Sequence, residues 1–201
     1  MITLINAFFG QTIWLIAYLT LKFDTSLKSQ FNFVKQTVVM SLTQAKNVPD
    51  NLTNALIQIE DRRFYRHRGI DVYSIFRAFI KNTTTDRLEG ASTITQQLVR
   101  NITNERKIKL RRKIKEIIFA ALIDKDFSKH EILFAYVNTY RFKNCIGVFV
   151  FCKLENYDLD NLSVSQATEI AARFKYPDLH KTNYIKYLKR VRTIEKKNVT
   201  Q

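Results

Sequence analysis

A chain that turns often needs glycine and proline, and this one has four and two of them in 201 residues. That scarcity excludes a turn-rich sandwich or barrel and favours long helices, so the expected class is mainly α. The length suffices for one good core with at most a small satellite. Local signals place the helices. Pro49-Asp50 opens one that carries Leu52, Leu56 and Ile59 and ends at Glu60-Asp61. Asp71 is positioned as the N-cap of the next, with Val72, Ile75, Phe76, Phe79 and Ile80 facing inward. A polar loop is expected over 82–87. Helices follow over 95–101 and 107–126, the second burying Ile114, Ile117, Ile118, Ala121 and Leu122. Ser128 and Glu131 have capping-box spacing before Ile132, Leu133, Tyr136 and Val137, and Ser163 and Gln166 repeat the device before 167–174. Pro177 stops that helix, and a basic helix over 184–197 closes the chain.

Charge narrows the partner. Lys and Arg outnumber Asp and Glu by 33 to 18, which suits nucleic acid, a phospholipid face or a phosphorylated substrate. The first 21 residues, MITLINAFFGQTIWLIAYLTL, carry no charged side chain. That is close to the roughly 20 residues a helix needs to cross a bilayer, and it predicts a single marginal membrane span, weakened by Asn6, Gln11 and three threonines. No basic segment precedes it, which disfavours a cleaved signal peptide. Lys22, Lys28 and Lys35 follow it, a distribution that by itself would leave the bulk of the chain in the cytoplasm. Two cysteines, Cys145 and Cys152, are too few for a disulfide framework or a zinc site and read as small apolar residues, with a disulfide open to an oxidising compartment.

Three blocks carry chemistry. Residues 60–69 read EDRRFYRHRG: two carboxylates end an apolar helix and are followed at once by cations and aromatics. As bare composition this is a solvated helix end; as function it is a carboxylate at a cleft rim, within reach of general-base work. Residues 90–101, GASTITQQLVRN, combine three hydroxyls, two adjacent glutamines and one cation. Residues 106–116, RKIKLRRKIKE, put seven cations before one carboxylate. Arg112 and Glu116 share a helix face there, either as an exposed ion pair worth about 0.3–0.5 kcal/mol or as a phosphate-facing surface.

These blocks in this order, followed by FSKHEILFAYVN, resemble the peptidoglycan glycosyltransferases, glycosyltransferase family 51: the transglycosylase module of penicillin-binding proteins and the monofunctional transglycosylases. The resemblance covers about 48–177, and the monofunctional type is the closer likeness. It implies a lysozyme-like, mainly helical fold with one N-terminal membrane-spanning helix: an anchor at 1–21, a stalk or first helix at 22–47 and a glycosyltransferase domain at 48–201. It implies a membrane-anchored enzyme of cell-wall biogenesis and cell shape that polymerises lipid II into glycan strands, with inversion and release of polyprenyl diphosphate. The implied location is the bacterial inner membrane, single-pass, with the catalytic domain on the outer side.

By motif position the resemblance makes Glu60 the general base and Glu116 the second functional carboxylate. Ser92, Thr93, Gln96, Gln97, Arg100, Arg112 and Lys113 would bind substrate. Asp61, Phe64, His67, Gly69, Gly90, Asn101, Lys129 and Asn138 would support the motifs; His130 and His180 read as surface residues. It implies no obligatory cofactor, with Mg2+ or Mn2+ as an optional aid at the donor diphosphate. Partners would be lipid II, the growing strand, the membrane and other cell-wall synthesis proteins, and not nucleic acid, for which no module is recognisable. The chain departs from the family after Asn138, where bulky residues at 141–153 replace a glycine- and alanine-rich stretch and Gly147 alone accepts unusual backbone angles. That departure motivates the alternative of a non-catalytic relative that binds lipid-linked glycan or acts as a cell-wall scaffold. A lysozyme-like hydrolase is the nearest enzymatic rival.

Overall fold

The computed structural model describes residues 2–43, 47–84, 90–105, 110–176 and 191, with side chains from Phe8 onward. The described chain is almost entirely helical: α1 (Ile2–Phe23), α2 (Thr25–Thr43), α3 (Asp50–Glu60), α4 (Val72–Thr84), α5 (Ile94–Thr103), α6 (Leu110–Asp126), α7 (Lys129–Thr139), α8 (Val148–Leu154) and α9 (Val164–Lys175), with one-turn helices at Phe64–Arg66 and Leu159–Asn161. Extended pairing among the described residues is limited to isolated bridges, Arg68 with Ile70 and Arg141 with Ile146. The mainly α expectation holds and is consistent with a lysozyme-like helical fold. The basic helix over 184–197, Pro177 and the residues 106–109 lie outside the described residues, apart from the helical, buried Val191.

The chain divides into two compact units, residues 1–44 with 63–136, and residues 45–62 with 137–201. In the first, α1 packs on α6, α2 and α4, and α5 packs on α6 and α2. Phe31, Val34 and Val38 of α2, Leu98 and Val99 of α5, and Phe119, Ala120 and Ile123 of α6 are buried there. The rings of Phe31 and Phe119 meet at 5.5 Å. In the second unit α3 packs on α9, burying Leu52 and Leu56 with Ala167, Ile170 and Ala171. Both capping boxes form. Ser128 N donates to Glu131 Oε2 at 2.7 Å and Glu131 N to Ser128 Oγ at 3.3 Å; Ser163 and Gln166 exchange the equivalent bonds at 2.9 and 3.2 Å. Each reciprocal pair satisfies amides that a helix start leaves unpaired.

Among the described residues no helix is long and apolar enough to cross a membrane. This corrects the anchor expected over 1–21, and with it the single-pass inner-membrane placement and the membrane-anchored form of the activity. Gln11, Thr12 and Thr20 interrupt the apolar run, and the two threonine hydroxyls bond back to the Phe8 and Ile16 carbonyls at 3.0 and 2.8 Å. One side of α1 is occupied by packing on α6, and Ala17 is fully buried.

Two inward-facing sets are also corrected. On α4, Ile75, Phe76, Phe79 and Ile80 are exposed, Phe79 by 65%, and Ala78 is the buried residue. Amphipathic spacing defines an apolar face; it does not supply an element to cover it. On α6, Ile114 is exposed and Ile117 and Ile118 are half-buried, while Glu116, Phe119, Ala120 and Ile123 face the interior with Ala121 and Leu122. The helix is turned so that Glu116, rather than Ile114, Ile117 and Ile118, leads the buried face.

In the second unit the bulky residues after Asn138 pack as an aromatic cluster. Phe142 stacks on Phe151 at 4.2 Å, and Tyr140 and Phe142 meet Phe174 at 4.3 and 5.0 Å. Gly147 has φ +83°, and a Cβ there would come within 2.8 Å of the Asn138 carbonyl oxygen, so the turn into α8 needs glycine. Both cysteines are free thiols; burial, then the neighbouring Cys145, pushes Cys152 up to about 11.

Gly69 has φ +74° and stands where a Cβ would be 2.4 Å from the Ala120 carbonyl oxygen, whereas nothing lies within 4 Å of a Cβ on Gly90. Gly69→Ala should therefore destabilise by about 3 kcal/mol, adding left-handed strain to overpacking, while Gly90→Ala should be neutral or slightly stabilising. Denaturant melts of the two variants test this, and equal stabilities would contradict the close approach of α6.

Candidate active site

The candidate site in the first unit is built on α5 and α6. The start of α5 is fixed by Thr93, whose Oγ1 accepts from Gln96 N at 3.2 Å and donates to the Gly69 carbonyl at 2.7 Å. One hydroxyl thus caps a helix and ties it to the loop at Gly69. Gln96 is fully buried one turn on, and Arg100 follows on the same face one turn later.

Glu116 is the centre of this arrangement, with a side chain 1% exposed. Arg100 grips it with both prongs, Nε to Oε1 at 2.8 Å and Nη2 to Oε2 at 2.9 Å. Arg112 Nε approaches Oε1 at 3.3 Å and Lys113 Nζ lies 3.6 Å from Oε2. Three cations surround one carboxylate. Lys113 also donates to Ser92 Oγ at 3.0 Å and Gln96 Oε1 at 2.7 Å, and Arg100 reaches Ser92 Oγ at 3.4 Å. Gln97 accepts from Tyr136 Oη at 3.1 Å. The block GASTITQQLVRN and the block RRKIKE are thereby joined into one polar cluster.

The charges tune one another. Burial alone would raise Glu116, but the Arg100 hydrogen bonds and the charges of Arg100, Lys113 and Arg112 outweigh it and hold the carboxyl below its usual range. Hydrogen bonding to Glu116 raises Arg100 against its own desolvation. Lys113 is lowered, chiefly by burial, although Glu116 pulls it the other way.

The remaining sequence-predicted residues lie elsewhere in the first unit or in the other unit. Phe64 and His67 are buried beside each other, rings 6.3 Å apart, and Lys129 Nζ sits 4.6 Å above the Phe64 ring. Gly90 is exposed at the head of the α5 block, and Asn101 is half-buried on α5. His130 is exposed on α7, and His180 lies outside the described residues. Glu60, Asp61 and Asn138 belong to the second unit. Glu60 is the last residue of α3 and half-buried, with Oε1 shielded from water. Asp61 caps α3, its N–H donating to the Ile57 carbonyl. Asn138, on α7, has both amide atoms buried without a hydrogen-bond partner.

Sequence reasoning missed two positioning residues. Asp124 accepts from Lys129 Nζ at 2.6 Å and Thr95 Oγ1 at 3.3 Å, and Tyr136, counted as core, holds Gln97 through its hydroxyl. A carboxylate five residues before Lys129 was the one local signal for the first; the second had none. Arg112 to Glu116 is a buried pair rather than a solvated one, and Arg100, sixteen residues away, is the stronger partner.

The transglycosylase family model matches residues 28–199. The chain belongs to the transglycosylase family. Its similar relatives include penicillin-binding protein 1A of Clostridium tetani, 45% identical over 104 residues, covering 49% of this chain and 13% of that protein. Penicillin-binding protein 1A of Clostridium botulinum is 35% identical over 163 residues, 74% of this chain and 20% of the relative. The Rickettsia typhi protein of the same name is 36% identical over 160 residues, 77% of this chain and 20% of the relative. This transglycosylase chain thus spans a fifth or less of the length of these relatives.

Glu116 supplies a measurable signature. A carboxyl whose folded pKa is depressed contributes stability above its unfolded pKa and loses it as pH falls through the folded one. Glu116→Gln should lower stability by about 3 kcal/mol at neutral pH by leaving three cations uncompensated. It should also flatten the fall in melting temperature below about pH 4. An unchanged acid limb in the variant would show that Glu116 is not held ionised.

Proposed function

We propose that this chain polymerises lipid-linked peptidoglycan precursors by inverting glycosyl transfer, with Glu60 as general base and the Glu116 cluster at the donor diphosphate. The observation that carries this reading is the cluster itself. Arg100, Arg112 and Lys113 exceed the single charge of Glu116 by two, and Arg100 and Lys113 sit against Ser92 and Gln96, which suit phosphate and sugar oxygens.

The Glu60 carboxylate takes the proton of the acceptor hydroxyl as its oxygen attacks the anomeric carbon. The bond from that carbon to the diphosphate oxygen breaks, and its electron pair leaves on the diphosphate. Fixed cations aimed at the developing charge stabilise it more than mobile solvent does. Gln96 Nε2 is buried without a hydrogen-bond partner, a donor that costs about 1–3 kcal/mol until a ligand oxygen meets it. The Asn138 amide is in the same condition. Asp61, Phe64, His67, Gly69 and Lys129 act through the backbone and packing they fix.

The donor set does not suit a divalent ion at this cluster. Both Glu116 oxygens are engaged by Arg100, and a metal would have to displace a guanidinium. A glycan hydrolase, for its part, expels a sugar hydroxyl and has no use for surplus positive charge.

The test is polymerisation of lipid II by the purified chain. Glu60→Gln should slow elongation by about a hundredfold to ten-thousandfold and leave precursor binding intact, whereas Arg112→Ala should weaken both. Full elongation by the Glu60 variant removes it as the base. Precursor binding by the wild type without elongation supports the non-catalytic alternative instead.

A further inference from the structure

A cavity of about 560 Å³ in the second unit is lined by Cys152, Asp158 and Asp160, among others, but pairs no cation surplus with its apolar wall. A larger one, of about 730 Å³, lies within the first unit, where α1 meets the loop at Tyr65–Arg68, the end of α6 and the start of α7. Its lining includes Trp14, Tyr65, Arg68, Asp124, Lys125 and Lys129. None of the residues assigned to the base, the diphosphate cluster or the substrate amides is among them.

The charges in this cavity do not balance. Asp124 is engaged by Lys129 at 2.6 Å, so that pair is neutral. Arg68 and Lys125 have no ion-pair partner among the described residues, and both side chains are exposed. Lys125 Nζ is held 5.5 Å from the centroid of the Trp14 ring, which fixes a cation against an aromatic wall. Gly10 lets α1 pass close to Arg68: a Cβ there would be 3.2 Å from Arg68 Cβ. The approach of α1 to the backbone and Cβ of Arg68 is therefore close, and the root of the second cation's side chain stands against α1.

We propose that this cavity is a binding site for a small anion carrying a flat aromatic or apolar body. The anionic group lies between Arg68 and Lys125, and the body packs against Trp14 and Tyr65. Two unpaired cations select for negative charge. The rings supply apolar contact that a bare inorganic anion could not use.

Trp14 is the chain's single tryptophan, so its fluorescence reports on this cavity directly. The full chain is titrated with anilinonaphthalene sulfonate and, in parallel, with phenylnaphthylamine, the same dye body without the anionic group. The sulfonate should show saturable energy transfer from Trp14 and bind about tenfold more tightly than the neutral dye. The Arg68→Gln, Lys125→Gln double variant should abolish that preference while keeping its circular dichroism and melting temperature. Equal binding of the two dyes, as an apolar patch such as the α4 face would give, overturns the proposal. So does sulfonate affinity that survives in the double variant. Should that variant melt early, each single variant with an intact melt is read instead, and the preference must fall in both.

Discussion

A carboxylate with 1% of its side chain exposed cannot remain charged without close cations, and much of the first unit follows from that requirement at Glu116. Arg100 must arrive in bidentate geometry, which fixes the rotation of α5 about its axis. Arg112 and Lys113 must share the buried face of α6, which turns Ile114 outward. The Thr93 cap and the close approach at Gly69 set where α5 begins, and so whether Arg100 reaches at all. Three cations for one carboxylate is more than charge neutrality needs, and the surplus is stable because part of it stays in water: the Lys113 side chain is 34% exposed and that of Arg100 30%.

What was legible in the sequence was local. The capping boxes at Ser128 and Ser163, the start of α3 after Pro49 and the N-cap role of Asp71 depend on residues three or four apart, and all are present. Asp71 Oδ2 accepts from Ser74 Oγ at 2.6 Å and from Arg63 Nε at 2.9 Å. The need for glycine at 147 was equally readable, because positive φ is a property of one residue. What failed depended on neighbours that periodicity does not name. The apolar face of α4 was correctly identified as a face and wrongly assumed to be covered. The uncharged run at the N-terminus predicts only a marginal membrane span, because Asn6, Gln11 and its threonines weaken it. Its packing on α6, which periodicity does not name, gives one side of that helix a protein partner instead.

The second unit shows how a departure from a small-residue pattern is accommodated. Where glycine and alanine would allow backbones to approach, this chain places Phe142, Phe149 and Phe151. Two of these, with Tyr140 and Phe174, form stacked and edge contacts that fill space with rings. The exchange requires a sharp turn at Gly147, whose missing Cβ admits the Asn138 carbonyl. The backbone of Asn138 is thus held by packing, while its buried side-chain amide is left without a hydrogen-bond partner among the described residues.

The candidate site was legible as a list of residues and not as a set of pairs. Spacing on one helix gave Arg112 with Glu116, and that pair exists, but its setting was misjudged because burial is a tertiary property. A pair four apart on an exposed face contributes a few tenths of a kcal/mol. The same two side chains in a buried cluster with Arg100 and Lys113 cannot be separated without stranding charge. Arg100 to Glu116 spans two helices and a connection, and no period in the sequence links them. The motif order carried that information implicitly, since residues of GASTITQQLVRN and RRKIKE are mutual hydrogen-bond partners through Ser92, Gln96 and Lys113. The neutral polar groups of the first block therefore have two jobs: the oxygens of Ser92 and Gln96 accept from the cations of the second block and hold them in place, and Gln96 Nε2 is left without a hydrogen-bond partner among the described residues.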